Sequence, residues 1–203
     1  FTISHGTYTG VPYNGTNGIQ ITNINDNYNL IGNPYPSAID AEEFLAANTY
    51  HATTNPTGVI YGNVKLWTHG YQPAAIVNPF YGSFAYNYNA NDYVTLNYLG
   101  ASDPIGASNI IKSGQAFFVQ MVDGTTGTGN VNFSNSMRLD ASNNPYNNSG
   151  FFRNANSSSE KHRIWLDLID ANNIASGTLV GYATDATYGF DTFFDAQAAV
   201  PGF

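Results

Sequence analysis

"NLIGNPYPSAIDAEEFLAAN", Asn29 to Asn48, is the stretch on which the fold turns, because one periodicity gives way to another inside it. Asn29–Gly32 closes an apolar run. Pro34 and Pro36 then end any strand, since neither carries an N–H for a ladder hydrogen bond. Asp40 stands where a helix cap is expected, and Glu43, three residues on, fits the spacing of a capping box. Phe44 and Leu45 form a small apolar face, and Asn48 sits where such a helix would stop. The spacing predicts one short helix near residues 40–48, laid over the end of a sheet. Asp40, Glu42 and Glu43 fall in its first turn, where the helix dipole favours carboxylates. That accounts for them without catalysis.

On both sides of this stretch the pattern is that of strands. "GIQITNI" (18–24) alternates Ile19 and Ile21 with Gln20 and Thr22, and "NYNLIG" (27–32) follows. "NVKLWTHG" (63–70) sets Val64 and Leu66 against Lys65, Trp67 and His69. "SFAYNYN" (83–89) aligns Phe84, Tyr86 and Tyr88. "DYVTLNYL" (92–99) sets Val94, Leu96 and Tyr98 against Tyr93, Thr95 and Asn97. "GQAFFVQMV" (114–122) is apolar on both faces, as a central strand is. "GNVNFSN" (129–135), "HRIWLDLID" (162–170) and "GTLVGYAT" (177–184) complete the set, with Ile164, Leu166 and Leu168 expected inward. Short alternating runs between Gly, Asn, Pro and Ser clusters predict an all-β chain. The expected architecture is an antiparallel β-sandwich, jelly-roll-like, with the single helix above. Residues 99–113 and 140–160 read as loops, neither with the monotony of a linker, so one domain over 1–203 is expected.

Composition narrows the function. The 203 residues are 42% hydrophobic and 15% aromatic but only 10% charged, so a sizeable core is within reach while polarity comes from Asn, Thr, Ser and Tyr. A net charge of −8 with six basic residues disfavours nucleic acid and acidic lipid surfaces. The absence of cysteine excludes disulfides and thiolate chemistry. With no run of about 18 apolar residues, no membrane insertion is expected.

Nucleophile elbows, phosphate loops and zinc-protease motifs are absent, and the four histidines have no ligand spacing. Asp185, Asp191 and Asp195 gather in "YATDATYGFDTFFDA" as candidate ligands of a structural calcium ion, a cation that takes clustered oxygens. The competing reading makes each Asp a turn former through hydrogen bonds to its own backbone. Trp67, Trp165, Tyr86 and Tyr88 are the candidate glycan-binding residues. Their rings offer apolar platforms to a pyranose, and both tryptophans fall opposite the residues expected to face the core. Aromatic cross-strand pairs that only stabilise a sheet are the alternative.

The phrases "NLIGNPYPSAIDAEEFL", "SGQAFFVQM", "VNFSNSMR", "FFR", "HRIWLDLI" and "LVGYATDATYGFD", in this order, resemble a region of large secreted and surface proteins of Bacteroidota, the flavobacterial type. There it precedes the C-terminal sorting domain of the type IX secretion system. The resemblance spans roughly residues 25–196 and implies export and a β-rich module of adhesin-like proteins, with no catalytic residue to carry over. The chain ends at "AVPGF" without that sorting domain, so a domain truncated at its C-terminal end is expected.

Three functions follow, in order. The first is a non-enzymatic extracellular structural or adhesin-like module, self-associating as an oligomer or filament or binding other surface proteins. The second is a carbohydrate-binding module for a polysaccharide. The third is a glycan hydrolase, which requires two carboxylates about 5–10 Å apart and one with a raised pKa.

Overall fold

The structure, a computed structural model, describes residues 9–67, 93–102, 109–124, 127–140, 142–143, 161–169, 171, 175–184 and 186–196. It is an all-β, sandwich-like fold built from antiparallel sheets. The strands are β1 (Asn17–Asn23), β2 (Tyr28–Gly32), β3 (Ile39–Asp40), β4 (Asn63–Trp67), β5 (Tyr93–Asn97), β6 (Gly100–Ala101), β7 (Ile110–Ile111), β8 (Ala116–Gln120), β9 (Gly127–Phe133), β10 (Lys161–Ile169) and β11 (Ala175–Ala183). Helix α1 spans Ala41–Asn48. The described elements include no helix long and apolar enough to cross a membrane.

A five-stranded sheet in the order β2-β8-β4-β5-β6 forms one layer. β8 pairs with strands on both sides, β2 and β4, as a central strand does. The β1–β9 pair, α1 and the small β3–β7 pair lie across from it. Phe117 and Val119 from β8, Val64 and Leu66 from β4, and Val94 and Leu96 from β5 face inward. They meet Ile21, Val131 and Phe133 of β1–β9 and Phe44 and Leu45 of α1 in one buried cluster. The Phe44 ring lies edge-on to Phe117 at 5.2 Å and tilted against Phe133 at 5.1 Å. Each such ring, removed from water, contributes about 1.5–3 kcal/mol.

The opening stretch behaves as its spacing predicts. The Asp40 side chain caps α1 by accepting from the Glu42 N–H at 2.8 Å. Buried Asn33 donates to the carbonyls of Ser37, Ile111 and Lys112 and accepts from the Tyr35 N–H. Tyr35 is buried and its hydroxyl reaches the Gly15 carbonyl. The two-proline turn is thereby tied to two distant segments of chain, at Gly15 and at Ile111–Lys112. Within the region read as a loop from 99 to 113, the structure instead forms β6 and β7, each two residues long.

One expectation is reversed. Ile164, Leu166 and Leu168 do not face inward: they are 55%, 53% and 75% exposed. β10 pairs only with β11 among the described residues, and the hairpin docks by its other face. The Trp165 indole donates to the Ala101 carbonyl at 3.0 Å, and the Arg163 guanidinium to that of Leu99 at 3.0 Å. Gly181, cross-strand partner of Arg163, lets this face approach closely, since a Cβ there would stand 3.0 Å from the Leu99 side chain. "IWL" is apolar on both faces, so alternation marked a strand without choosing its side.

Candidate functional site

Two surfaces present chemistry. The first is the outer face of the five-stranded sheet. Asn63, Lys65 and Trp67 on β4 project there, because Val64 and Leu66 take the core side. Tyr28, Phe118 and Tyr93 share that face by register. Their rings form a row: Tyr28 edge-on to Phe118 at 6.4 Å, Phe118 tilted to Tyr93 at 6.0 Å, Tyr93 edge-on to Trp67 at 4.7 Å. Trp67, at the end of the row, is 37% exposed, and the other three rings are half-buried.

Lys65 lies within this row, buried at 3% exposure. Its ammonium donates to Asn63 Oδ1 at 3.1 Å and stands 5.2 Å from the Tyr28 ring centre. Burial lowers its pKa to about 8, because the charged form loses its hydration. Its strand position alternates correctly for the outer face, but nothing in "NVKLW" signals that the ammonium would be covered.

The second surface is the outward face of the β10–β11 hairpin. Register puts His162, Ile164, Leu166 and Leu168 beside Ser176, Thr178, Val180 and Tyr182. Val180 is 43% and Tyr182 70% exposed, so five large apolar side chains form a contiguous open face. Among the described residues no carboxylate belongs to it. Asp167 points to the docked side, opposite Gly177.

The remaining sequence candidates fall elsewhere. Trp165 is half-buried, with the Arg163 guanidinium 5.7 Å from its ring and its indole N–H on the Ala101 carbonyl. Tyr86, Tyr88 and Asp185 lie outside the described residues. Asp191 accepts from the Thr187 N–H and Asp195 from the Asp191 N–H, the turn-forming role. Among the described residues no three His, Asp or Glu side chains gather to hold a metal ion, and these two carboxylates already spend an oxygen each on backbone.

That Asp-organised turn docks on the body. The Phe193 ring stacks on His51 at 5.5 Å and meets Tyr98 edge-on at 5.2 Å, while Tyr98 N–H and the Asn97 side chain donate to the carbonyls of Phe193 and Phe194. Around α1, partial burial and then Asp40 and Glu42 push the Glu43 carboxyl upward. Burial first, then Glu42, Glu43 and Asp40, raise the Tyr98 phenol to about 12. Glu42 accepts from the Asn109 side chain, so Asp40 and Glu42 are both held by structural partners.

A family model described as "Domain of unknown function (DUF8693)" matches residues 1–202. No curated protein and no solved structure matches the chain.

Proposed function

The chain belongs to the DUF8693 family, a domain of unknown function, and we propose that it is a non-enzymatic, extracellular module of an adhesin-like surface protein. The observation that carries this is the open apolar face of the β10–β11 hairpin, held outward by Trp165 and Arg163. Contiguous apolar patches of this size mark contact sites on otherwise hydrated surfaces. The resemblance of the ordered phrases to secreted Bacteroidota proteins supports the extracellular placement. Protease treatment of intact producing cells tests it: the chain is expected to be cleaved from outside and cross-linked to neighbouring surface proteins. Full protection inside intact cells overturns it.

A second reading rests on the Tyr28–Phe118–Tyr93–Trp67 row, which makes this face a polysaccharide platform with Trp67 as its exposed end. The chain has two tryptophans, so Trp165→Phe leaves Trp67 as sole reporter. Saturable fluorescence changes with a soluble polysaccharide, together with loss in Trp67→Ala of co-sedimentation with the insoluble form, support this reading. A flat response across a glycan panel removes it.

A further inference from the structure

We infer that the outward face of the β10–β11 hairpin is a homotypic interface, on which a second copy of this chain packs face to face about a two-fold axis. The inference rests on the reading of the chain as a contact module and names its partner.

Area comes first. Ile164, Leu166, Leu168, Val180 and Tyr182 keep 55%, 53%, 75%, 43% and 70% of their surfaces open. Together that is about 600 Å² on one copy and about 1,200 Å² over a pair, the lower bound of a specific interface. A single hairpin face therefore suffices for a weak, reversible dimer and not for a permanent one.

Charge points to the same partner. Two chains of net charge −8 repel at most approaches. Among its described side chains this face carries His162, Thr178 and the apolar groups, with Asp167 turned to the other side. Like-charged copies meet here without opposing carboxylates among the described residues.

Symmetry completes the fit. Leu166, paired with Thr178, lies at the middle of the face, with Ile164–Val180 toward one end and Leu168–Ser176 toward the other. A two-fold axis through the middle sets Ile164 of each copy against Leu168 of the other, so one patch serves both partners. The docked side, pinned at Leu99 and Ala101, keeps the opposite face turned outward.

The test is sedimentation of the full chain from about 1 µM to 1 mM, a range that brackets weak interfaces of this size. The mass is expected to climb from the 21.9 kDa monomer toward twice that value. Salt should strengthen association by screening the like charges. Leu166→Asp and, independently, Tyr182→Lys should each weaken it at least about tenfold while leaving the circular dichroism unchanged, because both side chains are exposed in the monomer. Ile24→Asp, at a comparably exposed apolar residue on another surface, should leave it unchanged. Because the chain has no cysteine, Leu166→Cys with a bis-maleimide of about 10 Å reach, the sheet-to-sheet spacing, gives a second readout. Covalent dimer is expected there and not for Ile24→Cys. A constant monomer mass, or equal weakening by Ile24→Asp and Leu166→Asp, overturns the inference. In that event surface exposure on intact cells still stands or falls by its own measurement.

Discussion

Lys65 is placed mid-strand on β4, where its backbone is paired on both sides, so its side chain cannot swing clear of the sheet. Its lowered pKa makes stability depend on pH. Between about 8, its folded value, and 10.5, its ordinary value, the unfolded chain binds more protons than the folded one, so stability rises with pH. Below 8 the charge is buried at a cost of about 3 kcal/mol, and Lys65→Met should recover about 1–2 kcal/mol of it, less than the whole because Asn63 Oδ1 loses its donor. Above about 10 the buried phenols oppose the trend: Tyr28, Tyr35, Tyr61 and Tyr98 are all raised, so ionisation favours the unfolded chain. Denaturant midpoints are expected to peak near pH 9–10, and Lys65→Met should flatten the rising limb. Asn48 is a second decisive residue. It is buried, donates to the Phe44 and Asn132 carbonyls and accepts from the Asn132 N–H, so it clamps α1 to β9. Asn48→Ala should cost about 2–3 kcal/mol, read as a loss in thermal midpoint, because the Asn132 N–H is left unpaired. The sequence placed Asn48 at a helix end; its reach across to β9 is set by tertiary contact.

At the scale of elements, α1 was legible because Asp40, Phe44, Leu45 and Asn48 are local signals within one turn or two of each other. The capping differs in detail: Asp40 accepts from Glu42, not through a reciprocal box with Glu43. β10 was legible as a strand but not in its orientation. Its inward side is chosen by Gly181 and by the carbonyls of Leu99 and Ala101, which are remote in sequence. The C-terminal turn shows the same dependence. A Cβ at Gly62 would overlap the Thr192 carbonyl. Gly62→Ala should therefore displace the turn that carries Phe193, costing about 1–3 kcal/mol by overpacking. Limited proteolysis checks this: cleavage within 186–196 should accelerate, whereas an unchanged digestion rate would refute the docking.

Across the whole molecule, one buried cluster joins the five-stranded sheet, β1–β9 and α1, and none of the described side chains of the β10–β11 hairpin belongs to it. Stability should divide accordingly. Amides of β8 are expected to exchange only by global unfolding, and those of β10 and β11 about a hundredfold faster through local opening. Coincident rates for both would contradict that division. What the sequence determined by itself is the class: periodicities of two, the proline-broken stretch, one helix and an acidic, cysteine-free chain that builds strands around aromatic side chains. These are local properties, written within a few residues. Which face of β10 meets the body, that Lys65 is covered, and that Ile164, Leu166 and Leu168 remain open were decided only by the tertiary structure. Each depends on contacts such as Trp165 with Ala101 or Gly181 with Leu99, between residues far apart in the chain, and alternation carries no information about them.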